Sequence, residues 1–280
     1  MIYIINLRNK PIYILTEDLN FFYRINKALN NKKLNFKILS FKDKIPSIPS
    51  IILTTLEELD CIKLSNDFVD IIPFLPEENL EKYIFKILAA YRLGYRDYET
   101  LTFSIDPGLN HIGIVVFLDY FYLNSQTILD RKSLIKQIKM YEESIQEDNS
   151  KELKLIFKFG KSLFEITRIL IHEILNLYKE NKVKIYLIDE SHSSKIRVSH
   201  KGRKFPKHES SALILAFRKG LEVNTDNYEK LLFNRLKQIR HSPFKGFKND
   251  SVNLAEIAEK VINGEISLKE SYSLITGNFA

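Results

Sequence analysis

The chain has 280 residues and a net charge of +7, and 45% of its residues are hydrophobic and 28% charged. This composition is typical of a folded protein of one large or two ordinary domains, and it excludes the disordered and fibrous classes. A single cysteine excludes an internal disulfide and a cysteine-rich zinc site, and it fits a reducing, cytoplasmic compartment. We expect no membrane association, because the sequence shows neither a signal-peptide pattern nor the roughly 20 apolar residues that span a bilayer.

Residues 1–97 alternate short apolar runs with helical patterns. The runs PIYIL, LNFKILSF, SIILTT and DFVDIIPFL are typical of strands. Thr16 predicts the start of one helix, and a second is expected from Pro76 to about Leu93, with Gly94 as its C-terminal cap. This alternation predicts a small N-terminal α/β (Rossmann-like) domain with a partly parallel sheet. It has no glycine-rich phosphate loop, which favours an accessory or docking role.

Residues 98–223 follow a different pattern. LTFSID, HIGIVVFLD and FYLNSQTIL predict three strands in an antiparallel meander, followed by a helix over about 131–146. ELKLIFKF, a long helical pattern and VKIYLIDES then predict two parallel strands with a crossover helix. A last helix is expected in PKHESSALILAFRKG. Residues 224–280 are expected to form a helical C-terminal extension.

Acidic residues lie at the ends of two predicted strands. Asp106 ends the first strand of the meander and is followed directly by a Pro-Gly turn. Asp189 and Glu190 end the strand VKIYLI, and the carboxyl ends of strands in an α/β sheet are where ligands collect. Each also has a simpler interpretation, since Asp-Pro-Gly is a good turn sequence and strand ends are often solvated.

The third acid is Glu209, beside His208 in the first turn of the last predicted helix. Taken alone, a glutamate there is explained by the helix dipole. Together with the acids at the strand ends, it completes a cluster at one edge of the sheet. Clustered carboxylates bind hard divalent cations, and two Mg²⁺ or Mn²⁺ ions about 4 Å apart can activate a water and stabilise a leaving oxygen.

The segment SIDPGLNHIGIVV resembles the first motif of the RNase H-like nuclease fold, specifically that of the RuvC-type Holliday-junction resolvases and the related YqgF-type proteins. In that motif one strand ends in Asp-x-Gly and the next begins with Ile-Gly. LIDESHSS is similar to the acidic end of their fourth strand, and HESSALILA to their final helix. The resemblance covers about residues 99–222 and implies an RNase H-like mixed sheet flanked by helices.

The resemblance also implies roles for the acids. Asp106 would bridge two Mg²⁺ or Mn²⁺ ions, Glu190 would be the second ligand and Glu209 the third, with Asp189 and His208 as further candidates. The final helix of these nucleases usually carries aspartate, often with a second acid three residues on, whereas here two serines follow Glu209. The segment of about 131–150 is an addition to the minimal fold.

Two basic runs without acids are candidates for nucleic-acid contacts. The first joins two of the proposed metal ligands, and the second interleaves phenylalanines with cations, which suits phosphate contacts and base stacking. A solvated loop is the alternative for each. The candidate residues are Lys195, Arg197, Lys201, Arg203, Lys204 and Lys207 in the first run, and Arg240 and Lys245 in the second.

These observations favour an enzyme: a metal-dependent endonuclease that hydrolyses phosphodiester bonds in structured nucleic acid by a two-metal-ion mechanism. The substrate would be branched DNA, such as a Holliday junction in repair or recombination, or structured RNA. Symmetric cutting of a junction would require a homodimer.

Two alternatives stay open. A catalytically degenerate RNase H-like domain would act as a scaffold that binds nucleic acid or protein. An actin-like ATPase would also have an aspartate and a glycine after its first strand, but no second phosphate-binding glycine motif precedes the final helix.

Overall fold

A computed structural model describes residues 9–62, 68–94, 97–161, 163–190, 196–200, 203–223 and 253–277; the side chains of Glu180, His200 and Arg203 are outside this description. The chain divides into two compact units. The first consists of Met1–Asp97 with Met140–Ser150, and the second of Tyr98–Lys139 with Lys151–Ala280.

The first unit contains a four-stranded sheet in the order β2-β1-β3-β4. All three strand pairings are parallel, so the sheet is fully rather than partly parallel. This confirms the predicted N-terminal α/β architecture. The strands are β1 (Ile12–Leu15), β2 (Phe36–Leu39), β3 (Ser50–Thr55) and β4 (Val69–Phe74), and the helices are α1 (Leu19–Asn31) and α2 (Leu80–Leu93).

The helix ends of this unit differ in part from the prediction. Asp18, not Thr16, caps α1, because its carboxylate accepts hydrogen bonds from two backbone N–H groups of the first turn. The Thr16 hydroxyl instead donates to Glu58 at 2.6 Å. Helix α2 begins later than predicted, after the N-cap Asn79, and it ends at Gly94 as expected.

The second unit contains a six-stranded sheet in the order β12-β9-β8-β5-β6-β7. The predicted meander is present, since β6 is antiparallel to both β5 and β7. Strands β8 and β9 run parallel to β5, and β12 is antiparallel to β9. The strands are β5 (Thr100–Asp106), β6 (Ile112–Leu118), β7 (Phe121–Ile128), β8 (Lys154–Gly160), β9 (Val183–Ile188) and β12 (Leu221–Val223); β10 (Ser199–His200) and β11 (Arg203–Lys204) form a separate hairpin.

Helices flank this sheet and follow it in the chain. They are α4 (Phe164–Leu177), α5 (Lys207–Ala216), α6 (Leu254–Asn263) and α7 (Leu268–Thr276). Helix α3 (Arg131–Gln146) begins in the second unit, and its residues from Met140 onward belong to the first. A mixed sheet accompanied by helices and preceded by a parallel α/β unit is the architecture that was predicted, so the α/β fold class is confirmed. No described helix has both the length and the apolar character needed to cross a membrane.

Helix α5 is largely buried in the second unit, and its packing fixes the position of its first turn. The Ser104 hydroxyl on β5 donates to the carbonyl oxygen of Ala212 at 2.7 Å, which ties the helix to the centre of the sheet. A Cβ on Gly113 of β6 would lie 2.1 Å from the His208 carbonyl oxygen. The first turn of α5 can therefore approach β6 only because residue 113 is glycine.

Candidate functional site

A cavity of about 700 Å³ lies at the carboxyl ends of β5, β8 and β9. Parallel strands end at the same edge of a sheet, so side chains that follow them converge there. The N-terminus of α5 forms another wall. The polar and charged lining residues are Asp106, Asn110, His111, Lys161, Asp189, Glu190, Lys207, His208 and Ser211.

Asp106 is the last residue of β5, and 14% of its side chain is exposed. Nδ1 of His208 lies 3.2 Å from its Oδ2. Burial raises the pKa of the Asp106 carboxyl, and the hydrogen bond from His208 and the charges of His208 and Lys207 oppose this only in part. Burial disfavours the ionised form of this carboxyl, so a cation that binds beside it would stabilise the carboxylate.

The turn after Asp106 is as tight as its sequence predicts. A Cβ on Gly108 would lie 2.1 Å from the carbonyl oxygen of His111, so only glycine fits. Asn110 and His111 both line the cavity. The imidazole rings of His111 and His208 stack with centroids 5.7 Å apart and an interplanar angle of 13°.

Asp189 and Glu190 directly follow β9, and both line the cavity. Nζ of Lys161 lies 2.8 Å from Oδ2 of Asp189, so the residue after β8 pairs with the residue after β9. The Glu190 carboxylate lies over the backbone of Gly160, where a Cβ would be 1.7 Å from Oε1 of Glu190. Neighbouring strand ends thus fix both acids.

A buried arginine, Arg218, contacts the backbone beside this pair of acids. Arg218 is 7% exposed, and its guanidinium donates a hydrogen bond to the backbone carbonyl of Asp189. Burial lowers the pKa of Arg218, and the charges of Asp189 and Glu190 oppose that shift. The two carboxylates therefore have a buried countercharge in the protein itself.

Glu209 occupies a different environment from the other predicted ligands. It is 8% exposed, and its carboxylate accepts hydrogen bonds from Ser125 at 2.5 Å and Thr127 at 3.1 Å, both on β7. It is not among the cavity-lining residues, whereas His208 and Ser211 are. Successive helical residues point about 100° apart, while residues three apart share a face.

The predicted nucleic-acid contacts are only partly within the described residues. Lys207 lines the cavity. Arg197 and Lys204 are exposed, and neither lines the cavity. The backbone of Arg203 is in β11, but its side chain is not described. The remaining candidates, outside the described residues, are Lys195, Lys201, Arg240 and Lys245.

The donor types around the cavity suit a hard divalent cation, because three carboxylates line it together with the imidazoles of His111 and His208. The Glu190 carboxylate occupies the space that a side chain on residue 160 would fill, so the rigid end of β8 helps to hold this candidate ligand in place. In the described part of the chain, however, no three His, Cys, Asp or Glu side chains are already grouped closely enough to hold a metal ion. The residues fit the chemistry of a metal, and binding would have to draw the carboxylates together.

Several features of the site were missed by sequence reasoning. The fit of Glu190 over Gly160 and the contact of Arg218 with Asp189 have no local signal, because they join residues distant in the chain. Ser211 was noted only as a departure from an acid, yet it lines the cavity one helical turn after His208.

No protein family profile matches this sequence, and no curated protein matches it. Among solved structures, the chain is similar to the Argonaute protein from Methanocaldococcus jannaschii, with 14% identity and a TM-score of 0.21 over 65% of this chain. The match covers 35% of the Argonaute chain, so the present chain spans about a third of it. It is also similar to a Ppx/GppA family protein from Aquifex aeolicus, with 13% identity and a TM-score of 0.14 over 77% of this chain and 80% of that one. At these scores neither likeness assigns a ligand or a reaction.

Proposed function

We propose that this protein is a metal-dependent nuclease that hydrolyses phosphodiester bonds in structured nucleic acid. One observation carries the proposal: Asp106, Asp189 and Glu190, at the ends of two parallel strands, line one cavity with His208 from the first turn of α5. Acids that follow strands in this way are positioned by rigid backbone, which suits a metal centre.

Mg²⁺ or Mn²⁺ would be held by Asp106 and Glu190, with His208 in the role that the family resemblance gives to Glu209. His208 replaces Glu209 here because it lines the cavity, while the Glu209 carboxylate is engaged by two hydroxyls of β7. In the two-ion form that the resemblance implies, Asp106 would be shared. Bound ions would activate a water and stabilise the leaving oxygen.

The remaining polar groups suit a phosphate. Lys161 and Lys207 place ammonium groups on two walls of the cavity. The N-terminus of α5 faces the same space, and helix N-termini favour anions. Lys161 is ordered by its 2.8 Å contact with Asp189, so it would enter the reaction already positioned. Together these groups would orient a phosphodiester against the metal-binding carboxylates.

The test is cleavage of a panel of nucleic acids: a four-way junction, a flap, a duplex, a single strand and a structured RNA, each in Mn²⁺, Mg²⁺ or EDTA. Asp106→Asn and Glu190→Gln should each lower metal-dependent cleavage by at least about 100-fold, since first ligands contribute more than the groups that orient them. The control is Glu165→Gln on α4, which removes one charge from a side chain that is 76% exposed. Cleavage that survives Asp106→Asn would overturn the proposal.

A catalytically inactive scaffold is the second candidate, and Ser211 favours it. The related nucleases often carry an acid three residues after the first acid of this helix, and the cavity-lining pair here is His208 and Ser211. A missing carboxylate lowers the charge available to hold ions. This candidate predicts no metal-dependent cleavage of any substrate in the panel, with binding equal in EDTA and in Mg²⁺ for both the wild type and Asp106→Asn.

A further inference from the structure

A second cavity, of about 410 Å³, lies at the opposite edge of the same sheet. Its lining includes the first residues of β5 and β8, Thr100 and Lys154, and Lys184 near the start of β9. The amino ends of the parallel strands therefore form this cavity, while their carboxyl ends form the candidate active site. At about 3.3 Å per residue, the seven residues of β5 separate the two by roughly 20 Å.

The second cavity is rich in lysine. Four lysines line it, against two glutamates, and Asn181 adds an amide. Lys154 and Lys184 come from neighbouring strands and are both exposed. An ammonium is a point charge on a flexible stem, which suits phosphate oxygens. The lysines are Lys151, Lys154, Lys182 and Lys184.

Tyr120 forms part of the wall and has an unusual backbone. It follows Asp119 in the turn between β6 and β7, and the two have φ angles of 72° and 45°. Turns of this kind favour Asn-Gly, so an aromatic residue there is an outlier. The Asp119 carboxylate accepts hydrogen bonds from the N–H groups of Glu99 and Thr100, which holds the turn.

The C-terminal helices contact the Tyr120 turn, and the tyrosine side chain is half-buried against the apolar cluster that includes Ala258 and Leu268. The backbone N–H of Leu268 donates to the Tyr120 carbonyl at 2.7 Å. Nζ of Lys269 lies 3.9 Å from the centroid of the tyrosine ring, so a further ammonium stands at this wall. The turn thus presents an aromatic ring among cations, the combination that binds single-stranded nucleic acid by stacking and phosphate contact.

We propose that this cavity, lined by Lys154, Lys184 and Tyr120, is a second nucleic-acid site that binds the sugar-phosphate backbone and stacks a base. The choice of nucleic acid as ligand rests on the proposed function. The site would engage a strand roughly 20 Å from the cleaved bond, at the far end of the strands that carry the acids. A substrate would then need a length that reaches both edges of the sheet.

The experiment measures binding of a labelled 20-nucleotide single strand to the full chain in EDTA, over a series of salt concentrations. Lys154→Gln with Lys184→Gln should reduce the slope of log K against log salt by about 1.4, because each lost phosphate contact on a single strand contributes about 0.7. Lys132→Gln with Lys136→Gln, at exposed positions of α3, removes the same charge elsewhere and should leave the slope unchanged. Tyr120→Asn keeps a residue suited to the turn and should weaken binding at least about fivefold.

Equal slopes for the two double variants would overturn the second site. The outcome is separate from that of the proposed function, because EDTA removes cleavage from the measurement. If the protein does not cleave, but the slope of log K against log salt falls only in the Lys154→Gln, Lys184→Gln variant, the second site is kept and the nuclease proposal is rejected. If the protein cleaves nucleic acid but its two double variants have equal slopes, the nuclease proposal is kept and the second site is rejected.

Discussion

Gly160 and Glu190 fit together so closely that a methyl group on Gly160 would collide with the glutamate. A Cβ there would lie 1.7 Å from Oε1 and 2.6 Å from the carboxyl carbon. Gly160 ends β8 and pairs in register with Ile188 on β9, so the two strands hold Glu190 against the glycine. The absence of a side chain at residue 160 is therefore what places this carboxylate at the cavity.

Gly160→Ala should displace the Glu190 carboxylate with little loss of stability. The clash is with the far end of a flexible side chain, which can rotate away at small cost. We expect metal-dependent cleavage to fall on the order of 10- to 100-fold, as for other groups that orient metal ligands. Mn²⁺ affinity, measured by calorimetry, should fall in parallel. Unchanged affinity and cleavage would show that Glu190 is not a ligand.

Gly113→Ala is a contrasting change, because its Cβ would meet backbone rather than a side chain. It would lie 2.1 Å from the His208 carbonyl oxygen, so α5 would have to move away from β6. Overpacking of this kind costs about 1 to 3 kcal/mol or more. Urea unfolding should show the loss for Gly113→Ala and not for Gly160→Ala.

His208 and Glu209 are neighbours that should have separable roles. His208→Ala removes the imidazole beside Asp106 and should reduce cleavage and Mn²⁺ affinity while leaving the unfolding free energy nearly unchanged. Glu209→Gln leaves the cavity lining intact but replaces an acceptor oxygen of a buried carboxylate, at a cost of about 1 to 3 kcal/mol. Cleavage rate and urea midpoint, measured on both variants, separate the two. If Glu209→Gln abolished cleavage without loss of stability, Glu209 would be the ligand that the resemblance implies.

The difference between His208 and Glu209 also shows which part of the site can be predicted from the sequence. Asp106 and Glu190 follow buried apolar runs, so their convergence on one sheet edge follows from strand pattern and strand direction alone. For the helix, the sequence predicts a start near Pro206 but not the rotation of the first turn. Whether His208 or Glu209 faces the cavity depends on how the helix packs on β5 and β6, which requires the contacts of Ser104 and Gly113.

The architecture was more predictable than the contacts. Short apolar runs joined by short turns predicted the meander, and a long helical pattern between two apolar runs predicted the parallel crossover. Cap positions were less predictable, because Thr16 and Asp18 are both residue types that favour the N-cap position. Asp18 caps α1, while the Thr16 hydroxyl donates to Glu58, far along the chain.

Asp106→Asn should be at least as stable as the wild type in EDTA at neutral pH. Burial raises the pKa of this carboxyl in the folded protein, so its ionised form is disfavoured there relative to the unfolded chain. An acid whose pKa is raised in the folded protein costs stability as pH rises above the unfolded pKa near 4, and the cost is complete above the folded pKa. Urea unfolding of both proteins at pH 7 and at pH 4 should show the advantage of the variant shrinking with acidification. A variant less stable than the wild type at pH 7 would contradict this.

Lys158 should make the stability of the second unit depend on alkaline pH. Its ammonium lies under the end of α5, where it donates to the carbonyl oxygens of Ala216 and, at 3.0 Å, of Arg218. Burial lowers its pKa to about 8. An unfolded lysine loses its proton near pH 10.4, so between about pH 8 and 10.4 the unfolded chain binds more protons and stability rises with pH.

The corresponding measurement compares the wild type with Lys158→Met in urea at pH 7, 8, 9 and 10. The free energy of unfolding of the wild type should rise relative to that of the variant by at most about 1.4 kcal/mol per pH unit above pH 8. Lys154→Met, at an exposed position of the same strand, corrects for the loss of one lysine. A constant difference across this range would mean that Lys158 is ionised in the fold, and that the charged group is stabilised by the helix carbonyls more than burial disfavours it.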